Sequence, residues 1–288
     1  MAGTGNSGRP WLRRSLVCLI ATGSMTLASS AAGPALPAGS ALDANALVRR
    51  MVAAYRKAQT IQENTEARMV MPDGSSFIQS GAIKWRRPNQ VYIYSQDPQQ
   101  GTMHVYSDGR LITVYSQRQN IFTNRNAMPD LQGTMRVVTK AAQDAFGVQF
   151  NQVLSPISFL LSDGMPREAR SFRFAGEASV NGRRAYKVVG QADTAWMRNM
   201  VPDATIVPVK RNVALWIDAQ TSLLLKASGD FAWKVTAADG MRLEQPVTGG
   251  VFFEETHFNT RLNAPIEETA FRFRAPRGAK QLFQERSY

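Results

Sequence analysis

His104 and His257 are the only imidazoles among 288 residues, so acid–base and metal chemistry has few places to start. His257 stands two residues after Glu255 in FFEETHF, which puts both on one face of a strand, a two-ligand start on a metal site. Such a site needs at least a third ligand, and nothing in the sequence locates one. No Gly-x-Ser-x-Gly elbow, phosphate-binding loop, His-Glu-x-x-His helix or glycine-rich dinucleotide turn occurs. Glu66, Asp144, Asp163 and Glu254/Glu255 could supply carboxylates, but a glycosidase-type pair is defined by its separation, which nothing here sets. The expectation is a non-enzymatic protein with no catalytic residue, no cofactor and no metal, its histidines structural or at the surface.

Arg87 is the other residue whose chemistry is out of place. In residues 81–94, GAIKWRRPNQVYIY, alternation puts Ile83, Trp85, Arg87, Val91 and Ile93 on one side, and Lys84, Arg86, Gln90, Tyr92 and Tyr94 on the other. The apolar side thus carries a guanidinium, which cannot lose its charge and must find carbonyls, a carboxylate or a ligand's head group. Pro88 ends the ladder there and places Arg87 at a rim. Three arrangements stay open: bonds to helix-end carbonyls, a bond to a ligand, or a bulge that turns the side chain into solvent. Met69, Ile83, Trp85, Val91 and Ile93 are expected to line a sheet cavity, covered by Leu154, Ile157, Leu160 and Leu161. The same pattern would serve a dry, filled core.

The elements around these residues are legible from spacing. Asp43 caps a helix over about 44–59, with Leu47, Val48, Met51, Ala54, Tyr55 and Ala58 on one face. Residues 134–146 form a second amphipathic helix ended by Gly147, and Ser155-Pro156 starts an apolar third over 155–161. Hairpin signals recur at Pro72-Asp73-Gly74, Asp97-Pro98, Asp108-Gly109, Asn181-Gly182, Asp218–Thr221, Ala238-Asp239-Gly240 and Thr248-Gly249-Gly250. The fold class is α+β, mainly β: a curled antiparallel sheet, an unclosed half-barrel of about ten strands, with helices covering its concave face. Residues 192–210, with Trp196, Met197 and Met200, read as an inserted loop between strands.

Arg9, Arg13 and Arg14 precede an uncharged stretch from Ser15 to about Ala32, the layout of a secretory signal peptide cut between Ala31 and Ala41. An uncleaved anchor, a lipoprotein signal at Cys18 and twin-arginine export are the alternatives. The division is a signal peptide over 1–41 and a single domain over 42–288. Cys18 is the only cysteine, so the mature chain can hold no disulfide or thiolate site. The net charge of +12 suits anionic lipid, a membrane surface or an acidic partner, while scattered basic residues and export speak against nucleic acid.

The order of segments carries a resemblance. WRRPN is followed by VYIY, then by VYSDGRLITVY at 105–115, SPISFLL at 155–161, NGRRAYKVVG at 181–190 and VALWID at 213–218. FFEETHFNTRLNAP and a final Phe-x-Phe-x-x-Pro-x-Gly strand, FRFRAPRGAKQLF, complete it. Over about 45–283 this set resembles the LolA/LolB-like superfamily of periplasmic lipoprotein carriers. The resemblance implies a monomeric periplasmic protein of a Gram-negative bacterium, on an uncharacterised branch. It implies that acyl chains of lipid or lipoprotein are held in the half-barrel, received from an inner-membrane transporter and handed to an outer-membrane acceptor. It also implies that Arg87 holds a helical lid shut. The family's aromatic position for hand-over aligns with Val91, a departure, and the chain is longer than LolA. An RseB-like envelope sensor that binds a protein partner is the alternative.

Overall fold

A computed structural model of the protein describes residues 42–98, 101–147, 172–191, 205–238 and 241–282. The expected leader over 1–41, the helix at 155–161 with Leu154, Ile157, Leu160 and Leu161, and residues 192–204 of the insertion lie outside them.

Helix α1, Ala44–Lys57, starts where expected: the Asp43 carboxylate accepts from the N–H groups of Asn45 and Ala46, two donors that a helix start leaves unpaired. Its apolar stripe, Leu47, Val48, Met51 and Tyr55, is buried. Six strands follow: β1 Thr60–Val70, β2 Ser76–Arg86, β3 Gln90–Asp97, β4 Gly101–Ser107, β5 Leu111–Ser116 and β6 Ile121–Asn126. Helix α2, Leu131–Phe146, begins earlier than its periodicity indicates, because Asp130 caps the N–H of Gly133. Gly147, at φ 66°, ends it in the left-handed conformation that glycine adopts at little cost. Then come β7 Arg173–Val180, β8 Arg183–Gln191, β9 Thr205–Asp218, β10 Leu224–Ala238, β11 Met241–Leu262, a short 3-10 turn at Glu268–Phe271 and β12 Lys280–Gln281.

These strands form one open sheet of twelve, in the order β12-β6-β5-β4-β3-β2-β1-β11-β10-β9-β8-β7. Neighbours are antiparallel except β12, which lies parallel to β6. Helix α1 packs on β7 and β9, and α2 on β5 and β6, yet both feed the same hydrophobic core. A sheet whose two wings serve one core is bent around it, and this is the curled, unclosed sheet with helices on its inner face that the patterning indicates.

Three local expectations are corrected. Residues 205–210 are strand, not loop, because they pair with the long β10; Pro208, which has no N–H to donate, sits at a register shift. Thr248-Gly249-Gly250 makes no turn, since β11 runs through it, and the pairing of β10 with β11 continues to Ala238↔Met241. A Cβ on Gly249 would stand 2.6 Å from the Trp233 indole, so glycine there admits a ring. FRFRAPRGAKQLF is also no ladder strand over its described residues: from the 3-10 turn at Glu268 to Leu282 the chain runs as a strap over the outer face, and only Lys280 and Gln281 pair.

Candidate functional site

The pairs Ile83↔Ile93 and Trp85↔Val91 show that the apolar side of 81–94 is one continuous patch across β2 and β3, and Phe77↔Met69 carries it onto β1. Met69, Ile83, Trp85, Val91 and Ile93 are all buried, none more than 8% exposed, and belong to the core that α1 and α2 share. The structure therefore brings these five together on the inner face.

Arg87 lies at the edge of that face. Its guanidinium stacks over the Trp85 ring at 4.8 Å, its Nε donates to the Ala58 carbonyl at 3.0 Å, and its Nη2 donates to the Arg56 carbonyl at 2.5 Å. Of the three arrangements left open by the sequence, the bonds to helix-end carbonyls are the ones present, and the helix is α1. A cation there also meets the negative end of the helix dipole. The neighbouring residues divide the same task. Arg86, on the outer face, pairs with Glu268 of the strap and lies over the Phe271 ring at 5.1 Å. Asn89, buried, donates to the carbonyls of Gly109 and Met128 at 3.0 and 2.6 Å, tying the β4–β5 hairpin to the lead into α2. Arg86-Arg87-Pro88-Asn89 is thus a junction that docks the first helix, the strap, a hairpin and the second helix onto one strand end.

The inner face is not wholly apolar. In the middle of the sheet β1 and β11 turn Glu63, Thr65, Glu255 and His257 inward, and all four are buried. The His257 Nδ1 faces the Glu63 carboxylate at 3.0 Å, and Thr260 donates its hydroxyl to the other Glu63 oxygen at 3.2 Å. Burial alone would lower the pKa of His257, but the charges of Glu63 and Glu255 and the bond to Glu63 outweigh it and hold the pKa above its ordinary value. Burial first, then repulsion from Glu63, pushes Glu255 up, with His257 pulling the other way. Tyr55, whose hydroxyl accepts the Leu224 N–H, is also pushed well up by burial and by Glu63. A carboxylate–imidazole pair is two parts of an acid–base relay, but no described hydroxyl or thiol bonds the remaining Nε2 of His257. Among the described residues no group of three or more His, Cys, Asp or Glu could hold a metal ion.

Sequence reading paired Glu255 with His257 and missed Glu63. The signal was available: in TIQENTEARMV, Glu63 has the parity of Ile61 and Met69, the rule that singled out Arg87. His104 belongs to the other face, among Tyr92, Tyr94, Tyr106 and Tyr115, where Phe273 of the strap packs on Tyr106 and Tyr115 at centroid distances of 5.4 and 5.5 Å.

Among solved structures, the chain is similar to the lipoprotein LppX of Mycobacterium tuberculosis (16% identity, 77% of this chain and 96% of that one, TM-score 0.41). It is also similar to a LolA superfamily protein of Nitrosomonas europaea (11% identity, 81% and 99%, TM-score 0.31). A third is the MucA/MucB complex of Pseudomonas aeruginosa (15% identity, 79% and 60%, TM-score 0.37). No curated protein matches the sequence. Residues 44–233, most of the chain, match the family described as "Predicted periplasmic protein (DUF2092)", and the chain belongs to that family of periplasmic proteins.

Proposed function

We propose that the protein is a non-enzymatic periplasmic binding protein that holds acyl chains of lipid or lipoprotein on the inner face of its open sheet. In this reading it takes them from an inner-membrane donor and passes them to an outer-membrane acceptor. The observation that supports it is the inner face itself, where Met69, Ile83, Trp85, Val91 and Ile93 form a continuous buried apolar patch of an unclosed sheet, in the core that both helices share. Each methylene buried against such a lining contributes about 0.8 kcal/mol, enough to carry a chain through water without chemistry. Leu154, Ile157, Leu160 and Leu161 are proposed to complete the cover, and Arg87 to set its closure through α1.

Mass spectrometry of protein extracted from its native envelope should find co-purified acyl lipid. A fluorescent fatty acyl probe should bind the purified protein, and Ile93→Glu should weaken that binding at least tenfold with the fold intact by circular dichroism. No bound lipid and no probe binding at any concentration would refute the carrier and favour a sensor that binds a protein partner.

A further inference from the structure

Three buried side-chain groups among the described residues have no hydrogen-bond partner: Trp85 Nε1, Arg125 Nη2 and His257 Nε2. All three are nitrogens, and strand register puts all three residues on the inner face. Trp85 shares it with Val91; His257 lies opposite Thr65 on β1; Arg125 lies opposite Ile112, which follows from Ser107 and Val91 across β5, β4 and β3. The indole and the guanidinium only donate, and the imidazole donates from Nε2 whenever it is protonated. Buried donors without partners are costly, and in native proteins they are few. A face lined with hydrocarbon and furnished with idle donors fits a molecule that brings apolar chain and bare acceptors together.

The surroundings of His257 narrow the acceptor. Its side chain is wholly buried, its Nδ1 is committed to Glu63, and Glu255 is the second acid of the cluster. A free carboxylate or phosphate placed at Nε2 would meet two acidic side chains in a medium where charge is poorly screened. A neutral carbonyl meets no such repulsion. Resting on the acyl-binding reading above, we infer that His257 Nε2 is the anchor for the ester carbonyl of an acyl chain, so that the protein takes esterified chains in preference to free fatty acids or plain hydrocarbon. The requirement behind it is the buried Nε2 without a partner, which a bare hydrocarbon would leave unsatisfied.

The test uses the delipidated mature protein and three pyrene-labelled probes of equal chain length: a diacylglycerol, a free fatty acid and an alkane. The ester should bind about tenfold more tightly than the alkane, the worth of one hydrogen bond, and more tightly than the acid. His257→Asn places an amide near Nδ1, keeping a donor for Glu63 with nothing at Nε2; it should erase the ester preference and leave alkane affinity unchanged. His257→Gln, whose amide nitrogen reaches the Nε2 position, should restore it. In the unaltered protein, the 15N resonance of His257 Nε2 should move on adding the ester and stay fixed on adding the alkane, a reading that needs no variant to fold. Equal affinity for ester and alkane, or an unmoved resonance, overturns the anchor while acyl binding stands. Failure of every probe to bind overturns both. Displacement by a diacylglyceryl-cysteinyl lipopeptide or by unlabelled diacylglycerol, either of which supports the ester, tells the lipoprotein and glycerolipid sources apart.

Discussion

Single residues on the inner face set how the fold responds to protons. His257 has its folded pKa raised, with burial opposing and Glu63 and Glu255 prevailing, so folding binds a proton there. The stability this supplies is fully present below the unfolded value of about 6.5 and is lost as pH rises through the folded pKa. Glu255, raised chiefly by burial, acts in the same direction from the ordinary carboxylate range upward. The resistance of the apo protein to thermal unfolding should therefore fall as pH rises above about 6.5, with a slope of at most about 1.4 kcal/mol per pH unit for each group. His257→Gln should flatten the histidine part of that slope. An unchanged slope in the variant would show that His257 holds no extra proton. The same residues show why sequence found some of the site and not the rest. Parity exposes a charge on an apolar face wherever neighbours are strongly apolar, as around Arg87. Around Glu63 the intervening Gln62, Asn64 and Thr65 blur the apolar set, and its partner is supplied by β11, far along the chain.

Elements were read more fully than their junctions. Helix α1 and the end of α2 follow from caps and spacing, which are local, and Asn181-Gly182, with φ of 50° and 76°, makes the β7–β8 turn that its dipeptide announces. The strap was misread because an alternating Phe-x-Phe segment has the parity of a strand whether it joins a ladder or lies across one. Its role depends on Phe271, 1% exposed beneath Arg86, and on Phe273 against Tyr106, contacts that no local pattern encodes. How α1 is fastened is likewise a long-range matter. Its C-terminal carbonyls meet Arg87, and the Arg87 N–H donates to Gln59. Arg87→Leu keeps much of the bulk and removes the side-chain donors, at a cost of about 1–3 kcal/mol in urea unfolding. Faster amide exchange in the last turn of α1, with β4 and β5 unchanged, is the expected signature. Uniform protection throughout would show that the helix end is held by packing alone.

At the scale of the whole molecule, the arginine-led apolar start and the periplasmic family agree on export. N-terminal sequencing of native protein should begin between residues 29 and 42; an intact Met1 in the membrane fraction would refute cleavage. Such cleavage would remove Cys18, and the stability of the mature domain should then be unchanged by a thiol reductant. Its stability rests on one core shared by both wings of the sheet, with β1 and β11 paired at the centre. That pairing, and the strap beyond β11, also fix a timetable. If the chain is threaded across the membrane from its N-terminus, β1 to β6 arrive long before β11, so a central strand waits without its neighbour while the outer ladder of Tyr92, Tyr106 and Tyr115 is bare. The strap, later in chain order than every strand it covers, arrives last, seats Phe271 and Phe273, and adds β12 along the open side of β6. Under such threading the connectivity would leave a sticky interval, closed only when residues 263–282 reach the far side.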